Sequence, residues 1–253
     1  MSIKYNIPNF IKNRPRTRIV CTIGPATSSP AIIERLIRGG MSVARLNLSH
    51  GSTGEHQQYV DTVRDLSKKL DISVGILADL PGPKYRTGPV GKKSIILRSG
   101  DEVRLVSKSV VGTKNTVSIW PTGLNNDVKT GNKILIDEGA IQLRVIENSS
   151  VSILCKVIDG GELKTKKAVT IPGHTSTLGY FTQETLRALD FCLNTKVDFI
   201  GLSYIRCAQD LIDVREKIKS SPHEYQLVSK IEIKQAVDNL EEILRETDAV
   251  MVA

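Results

Sequence analysis

The sequence has 253 residues, with 35 Lys and Arg against 27 Asp and Glu and a formal net charge of +8. This length suffices for one α/β barrel or two ordinary domains, and the positive charge suits an anionic ligand such as a phosphate ester, a nucleotide or a nucleic acid. Because aromatic residues make up 4% of the chain, a stacking platform for single-stranded nucleic acid is not expected.

The cysteines and the apolar runs indicate the compartment. The four cysteines are scattered without a CxxC pair, which is typical of a reducing environment, and Cys21 lies in an apolar run where it is expected to be a small buried side chain. Residues 1–18 contain several bases but no apolar signal-peptide core, and no stretch approaches the roughly 18 apolar residues of a membrane span. We therefore expect a cytoplasmic protein, with organelle targeting through the acid-poor N-terminus as the alternative, and neither membrane nor nucleic acid as a partner.

Short apolar runs alternate with helical patterns from residue 18 onward, which is typical of βα units around a parallel sheet. The β-branched run 18–23 predicts a strand buried on both faces. Ser28 or Ser29 predicts the N-cap of the following helix, with Pro30 in its first turn and Gly39 at its end. The next predicted elements are a strand over 43–48, a helix from about residue 53 and a strand over 74–79.

The helical period disappears between about residues 89 and 172. Turn signals such as Asp137-Glu138-Gly139 there separate alternating apolar runs. This pattern predicts a small antiparallel β domain, inserted at the end of the barrel where loops carry function. We therefore predict three segments. Residues 1–88 form the first part of the barrel, residues 89–172 form an inserted β domain that acts as a lid, and residues 173–253 form the second part of the barrel.

The βα rhythm resumes after Thr182. The predicted helices carry Leu186, Leu189 and Leu193, then Leu211, Val214 and Ile218, then Val237, Leu240 and Leu244, and the predicted strands cover 199–203, 227–231 and 249–253. This gives about six barrel strands, whereas closure of this fold takes eight. The predicted fold class is α/β: an incomplete parallel (β/α)8-type barrel with an inserted antiparallel β-barrel domain.

Charged residues cluster where the predicted strands end or just after. Arg45, Arg86 and Lys230 supply cations, and Asp79 and Glu232 supply carboxylates. Cations beside carboxylates at this end of a barrel suit phosphoryl transfer with a divalent metal, because the metal neutralises developing charge and Arg grips phosphate oxygens. Each residue alone is equally compatible with an ordinary ion pair at a strand end, but the recurrence on successive strands favours a site.

Several segments resemble the pyruvate kinase family, and they occur in the family's order over nearly the whole chain. They are CTIGPAT (21–27), ARLNLSHG (44–51), GPKYRTG (82–88), ILIDEGAI (134–141), LSYIR (202–206), SKIE (229–232) and DAVMVA (248–253). The resemblance implies transfer of the phosphoryl group of phosphoenolpyruvate to ADP, giving pyruvate and ATP in glycolysis. It also implies Mg²⁺ or Mn²⁺ as cofactor.

The resemblance implies roles for the matching residues. Arg45 would contact the transferring phosphate, and Lys230 would stabilise the charge of the phosphoryl group and the enolate. Glu232 would be the first protein ligand of the divalent metal. The other implied contacts are Arg86 with phosphates, Thr22 and Pro25 along the nucleotide, and Asn47, Ser49 and Asp79 as oxygen ligands of a monovalent cation.

The resemblance also implies that potassium is not required. Family members that depend on potassium carry Glu five residues after the Asp of the cation site, whereas independent members carry Lys. This sequence has Lys84, five residues after Asp79, and it has Leu80 where potassium-dependent members have Thr. Lys84 would thus substitute for the ion, although a solvent-facing lysine beside the inserted domain is the alternative.

The sequence departs from the family at Ile233, where the family usually has Asn, so a supporting hydrogen bond is expected to be lost. After Ala253 the family continues with an Arg-Gly-Asp segment that holds the second metal carboxylate, the last strands and a C-terminal domain. We expect these parts, and much of the family's homotetramer interface, to be missing from the chain. An inactive fragment or pseudoenzyme that retains phosphate-binding loops is the main alternative, and a carbon-carbon lyase of related barrels is a third.

Overall fold

The computed structural model describes residues 17–91, 93–174 and 176–253. They form two compact units, one made of the residues up to Pro81 with Gln183–Ala253 and the other of Gly82–Thr182. The predicted limits at residues 89 and 172 both fall inside the second unit, and they stay predictions of the domain boundaries. Residues 1–16, for which the sequence predicts no signal peptide, lie outside the described residues.

The first unit begins with two βα repeats and a third strand. Its elements are β1 (Ile19–Ile23), α1 (Pro30–Arg38), β2 (Met41–Asn47), α2 (Thr53–Leu70) and β3 (Gly75–Leu80). Ser29 caps α1 by accepting a hydrogen bond from the Ile32 N–H, and Pro30 opens the helix as predicted. Ser52 and Glu55 form a reciprocal capping box at the start of α2.

The second unit is a closed β barrel. Its elements are β4 (Tyr85–Thr87), β5 (Ile95–Leu97), β6 (Glu102–Val106), β7 (Thr116–Trp120), α3 (Leu124–Asp127), β8 (Lys133–Ile136), β9 (Ile141–Asn148), β10 (Ser152–Asp159), β11 (Gly161–Leu163) and β12 (Ala168–Thr170). The barrel order is β10-β6-β7-β4-β12-β8-β9, with β5 and β11 paired separately. Neighbouring barrel strands are antiparallel except β6 and β7, which run parallel. Ile141, Leu143 and Val145 alternate into its core.

The first unit then resumes with βα repeats. The elements are α4 (Gln183–Thr195), β13 (Phe199–Leu202), α5 (Ala208–Ile218), β14 (Gln226–Ile231), α6 (Lys234–Asp238), α7 (Leu240–Glu246) and β15 (Ala249–Val252). The single helix predicted through Val237, Leu240 and Leu244 is wrong, because the chain breaks at Asn239 into two short helices. The side chain of Asn239 donates to the Arg206 carbonyl at 2.9 Å, which fixes the break.

Six parallel strands form the sheet of the first unit, in the order β1-β2-β3-β13-β14-β15. An aspartate before β13 and another before β15 tie neighbouring strands together. Asp198 accepts from the Ile76 N–H and Asp248 accepts from the Leu227 N–H, both at 2.7 Å. The sheet, its flanking helices and the separate β barrel confirm the predicted incomplete α/β barrel with an inserted β-barrel domain.

The prediction that the strand over 18–23 is buried on both faces is wrong. Ile19 and Val20 on β1 are 41% and 48% exposed. The reason is that β1 has a neighbouring strand on one side only among the described residues. Cys21 is accordingly half-buried rather than buried, and partial burial raises the pKa of its thiol. Within the described part of the chain, no helix is both long and apolar enough to cross a membrane.

Candidate active site at the carboxyl ends of the parallel strands

The carboxyl ends of parallel strands meet at one edge of a sheet, so this edge gathers side chains that are far apart in the sequence. The strand register places Thr22 beside Arg45 and Asn47 beside Asp79. Asp79 in turn lies beside Gly201 of β13, one strand further along the sheet. The residues after Gly201 and the end of β14 complete the edge.

Arg45 and Asp79 form the first part of a charged network. The Nε and Nη2 groups of Arg45 donate to Asp79 Oδ2 at 2.9 and 2.6 Å, and Nη1 donates to the hydroxyl of Thr22 at 3.0 Å. Asp79 is buried, whereas the Arg45 side chain is 27% exposed. The buried carboxylate therefore holds the guanidinium at the solvent side of the strand ends.

Lys230 and Glu232 form the second part. The ammonium of Lys230 lies 3.2 Å from Asp79 Oδ1 and 2.7 Å from Glu232 Oε1, and it donates to the hydroxyl of Ser203 at 2.9 Å. Ser203 in turn donates to Asp79 Oδ1 at 3.1 Å. The ammonium thus makes one hydrogen bond, to Ser203, and two ion pairs, to Asp79 and Glu232. Asp79 thus joins both cations into one network.

The two cations and two carboxylates compensate one another in a place where water has little access. Asp79 and Lys230 are 2% and 8% exposed. Burying a charge is unfavourable unless it is paired, and removing one member of a buried pair typically costs about 3 to 5 kcal/mol. The network therefore fixes four charged groups in one arrangement before any substrate binds, and such preorganisation is what stabilisation of developing charge requires.

Tyr204 orients the carboxylate of Glu232. Its backbone N–H donates to Glu232 Oε2 at 3.2 Å. Tyr204 has a φ of 57°, in the left-handed region that a bulky residue rarely adopts. Backbone strain of this kind is held by the surrounding structure and is concentrated at functional sites. Glu232 consequently has one oxygen held by the backbone and the other paired with Lys230.

The loops after β1 and β2 lie at the same edge. After β1, the Gly24 N–H donates to the Thr27 hydroxyl at 2.9 Å, closing the tight turn that contains Pro25. After β2, the Ser49 N–H donates to Asn47 Oδ1 at 3.1 Å. The first residue of this loop is tied to β3, because the Leu48 N–H donates to the Asp79 carbonyl at 3.0 Å. Both loops are therefore fixed by internal hydrogen bonds.

Arg86 and Lys84 belong to the second unit. Arg86 lies on β4, pairs with Ala168 of β12 in the strand register, and donates from Nη1 to the Lys166 carbonyl at 3.2 Å. Lys84 directly precedes β4.

Oxygen donors at the strand ends suit a hard divalent cation, because Mg²⁺ is usually held by one or two carboxylates together with substrate phosphates and water. Among residues 17–91, 93–174 and 176–253, no group of three or more His, Cys, Asp and Glu side chains is placed to hold a metal ion. Glu232, with its backbone-oriented carboxylate, fits the role of a single protein ligand to such a cation.

The structure brings together Thr22, Arg45, Asp79, Lys230 and Glu232 from the predicted set. Ser203 was missed as a site residue, and so was Tyr204. Both lie within the LSYIR segment, so the signal was present in the sequence, but their roles depend on contacts with distant strands.

The fold and the site define an α/β-barrel protein with a preorganised charged network at its strand ends and an inserted β barrel. The family model "Pyruvate kinase, barrel domain" matches residues 14–253. The pyruvate kinase of Staphylococcus aureus (strain MRSA252) is 41% identical over 240 residues, which cover 94% of this chain and 41% of that protein. The pyruvate kinase of Staphylococcus saprophyticus is 40% identical over 241 residues, again 94% of this chain and 41% of the relative.

The chain therefore belongs to the pyruvate kinase family. It spans 41% of the length of these curated relatives.

Proposed function

We propose that the protein containing this chain transfers the phosphoryl group of phosphoenolpyruvate to ADP, giving pyruvate and ATP, as a glycolytic enzyme of the cytoplasm. In this reaction the bond between phosphorus and the enol oxygen breaks, a bond forms to a β-phosphate oxygen of ADP, and the enolate takes up a proton. The observation that carries the proposal is the buried network that joins Arg45, Asp79, Lys230 and Glu232. The family membership of the chain supports it.

Arg45 is the residue that binds the transferring phosphate. Three of its five N–H groups make the hydrogen bonds described above, to Asp79 and Thr22. Two N–H groups of the guanidinium are thus left for phosphate oxygens within these contacts. Because Asp79 holds two of the bonded groups, the guanidinium plane is fixed before the phosphate arrives.

Lys230 stabilises the negative charge that develops on the phosphoryl group and the enolate. Its ammonium donates to the Ser203 hydroxyl and is paired with the carboxylates of Asp79 and Glu232, so a substrate oxygen would compete with one of these partners. Glu232 is the acceptor suited to be replaced, because it is also the proposed ligand of Mg²⁺ or Mn²⁺. A bound divalent cation would neutralise phosphate charge at this position.

The remaining roles are extended from the family to matching residues. Thr22 and Pro25 line the nucleotide, and Arg86 of the second unit binds phosphates. Asn47, Ser49 and Asp79 would provide the oxygen ligands of a monovalent-cation site, and Lys84 would supply the positive charge there in place of potassium. The substrates are then phosphoenolpyruvate and ADP, without nucleic acid or membrane as partner, and the assembly would be the family's homotetramer.

The test is a coupled assay of the full-length protein that contains this chain, with phosphoenolpyruvate, ADP and Mg²⁺. We expect pyruvate formation that Lys230→Ala lowers by about 100-fold to 1000-fold, because a preorganised charge is lost. Lys234→Ala is the matched control, since Lys234 is a nearby lysine whose side chain is 86% exposed. This control should keep the rate of the unaltered protein.

The alternative is an inactive pseudoenzyme that retains phosphate-binding loops. A full-length protein that binds phosphoenolpyruvate but forms no pyruvate would favour this alternative and contradict the proposed activity. Equal rates for Lys230→Ala and Lys234→Ala would contradict the role of the network.

A further inference from the structure

His56 lies in the first turns of α2, and it is 7% exposed. Its Nε2 atom lies 2.7 Å from the carbonyl oxygen of His50, in the loop that follows β2. A carbonyl oxygen accepts but never donates, so Nε2 must carry the proton. His56 therefore donates one hydrogen bond from helix α2 to the backbone of that loop.

The other ring nitrogen makes no contact of this kind. Nδ1 of His56 is buried without a hydrogen-bond partner among the described residues. A buried polar atom without a partner is unfavourable, and an aliphatic or phenyl side chain would avoid the cost. The hydrogen bond to His50 is therefore the feature that distinguishes histidine from an apolar residue at this position.

Packing on both sides fixes the imidazole. Its ring meets Tyr59 and Phe191 edge to face, with centroid distances of 5.9 and 6.1 Å. The loop approaches the ring closely at Gly51, which has a φ of +77°, and a Cβ atom there would lie 3.2 Å from His56 Nε2. Glycine at this position permits both the backbone conformation and the close approach.

We propose that His56 is a positioning residue for the loop over 48–51, and the inference rests on the proposed function of that loop. The loop carries Ser49, whose N–H donates to Asn47 Oδ1. Ser49 and Asn47, the last residue of β2, are the residues proposed above to supply oxygens at the monovalent-cation site. By holding the His50 carbonyl, His56 sets the position of these oxygens without touching the substrate.

The chain contains a matched control in His223. Its Nε2 atom lies 3.0 Å from the Val197 carbonyl, and its ring meets Tyr225 at a centroid distance of 4.7 Å. The contact has the same chemistry, but Val197 precedes β13 and His223 precedes β14. The contact therefore lies at the amino ends of the strands, at the opposite edge of the sheet. His223 is half-buried, and a histidine whose hydrogen bond serves packing alone should behave like it.

The experiment compares His56→Phe, His56→Gln, Gly51→Ala and His223→Phe in the full-length protein. Hydrogen exchange of a peptide spanning residues 47–52 reports on the loop, and steady-state kinetics report kcat and KM for phosphoenolpyruvate. We expect His56→Phe and Gly51→Ala to accelerate exchange in the loop by about tenfold and to raise KM by a similar factor. We expect kcat to change less than KM, because substrate positioning is what is lost.

The Gln and His223 variants decide between positioning and packing. The amide of His56→Gln can donate in place of Nε2, so exchange and KM should return to within about threefold of the unaltered protein. His223→Phe should leave both unchanged. The proposal is overturned if His56→Phe matches His223→Phe, or if a folded His56→Gln behaves like His56→Phe. If His56→Phe does not fold, unaltered exchange in Gly51→Ala overturns it equally.

The exchange readout does not depend on catalysis. A full-length protein without pyruvate kinase activity would refute the proposed function, while the exchange rates would still decide whether His56 holds the loop.

Discussion

At the scale of single residues, the Ser203 hydroxyl connects the two halves of the charged network. It accepts from Lys230 and donates to Asp79 Oδ1, at 2.9 and 3.1 Å. Ser203→Ala removes both bonds with little change in volume, so the ammonium loses its hydrogen bond and keeps its two ion pairs. We predict a fall in kcat of roughly tenfold or more, with a smaller change in KM, in the assay of the full-length protein.

Ser67→Ala provides the control for this prediction. Ser67 also donates its hydroxyl to a partner, the Ile72 carbonyl, but it lies at the opposite end of the strands. Its removal should leave kcat unchanged. Equal kinetics for the two variants would show that Ser203 takes no part in orienting Lys230.

Lys84 carries the prediction about potassium. An ammonium can supply the positive charge that a bound ion would otherwise provide, and a unit charge about 4 Å from its partner is worth roughly 4 kcal/mol at an effective dielectric of 20. We predict that the full-length protein is active in tetramethylammonium buffer without sodium or potassium. Lys84→Glu should create a potassium requirement.

Lys114→Glu makes the same change of charge at an exposed position elsewhere in the second unit and serves as the control. It should create no such requirement. A large stimulation of the unaltered protein by potassium would refute the role of Lys84.

At the scale of elements, Asp127 at the end of α3 anchors the segment over 176–178 within the β-barrel unit. It is 2% exposed and accepts hydrogen bonds from the Tyr85 and Ser176 hydroxyls and from the backbone and side chain of Thr177. Burial alone would raise the pKa of Asp127, but these hydrogen bonds outweigh burial and hold the pKa below its ordinary value of 3.8. Burial and the same carboxylate raise the pKa of the Tyr85 phenol.

This shift predicts a pH dependence of stability. Because the pKa of Asp127 is lower in the folded state, its contribution is fully present above the ordinary value of 3.8 and is lost as the pH falls through the folded-state pKa. We predict that Asp127→Asn lowers the free energy of unfolding of the β-barrel unit by about 1 to 3 kcal/mol near neutral pH. The difference between the two proteins should shrink in acid, and urea unfolding at several pH values measures it. A difference that stays constant down to pH 2 would contradict the argument.

Elements whose ends are determined by their own capping residues could be predicted from the sequence. The start of α1 follows from Ser29 and Pro30, and its end follows from Gly39. The break at Asn239 was not predictable in this way, because it depends on a hydrogen bond to Arg206, 33 residues earlier. The exposure of Val20 likewise depends on which strand lies beside β1, and an apolar run does not contain that information.

The same distinction holds for the candidate site. Arg45, Asp79, Lys230 and Glu232 were predicted because parallel strands bring their ends to one edge and because the segments resemble a family. Ser203, Tyr204 and His56 act through contacts with other strands and loops. Serine, tyrosine and histidine are common in ordinary cores and loops, so residue type alone gave no signal for them.

At the scale of the whole chain, the sheet of the first unit has two open edges among the described residues, β1 and β15. Apolar side chains are exposed on both, with Val20 at 48% and Val252 at 85%. An edge strand presents unpaired N–H and C=O groups in a row, and an apolar edge is a template for pairing with another chain. The edges therefore favour association when these 253 residues are prepared alone.

We predict that the 253-residue chain prepared alone self-associates at concentrations of about 1 to 100 µM, as measured by sedimentation velocity. Val252→Lys should shift the distribution toward monomer, because a charged side chain on an edge strand opposes pairing. Val151→Lys is the control, since Val151 is 74% exposed but lies between β9 and β10 of the β-barrel unit and belongs to neither edge strand. If the edges drive association, this control should sediment like the unaltered chain. A monodisperse monomer at every concentration, or equal effects of the two lysine variants, would show that the open edges do not control association.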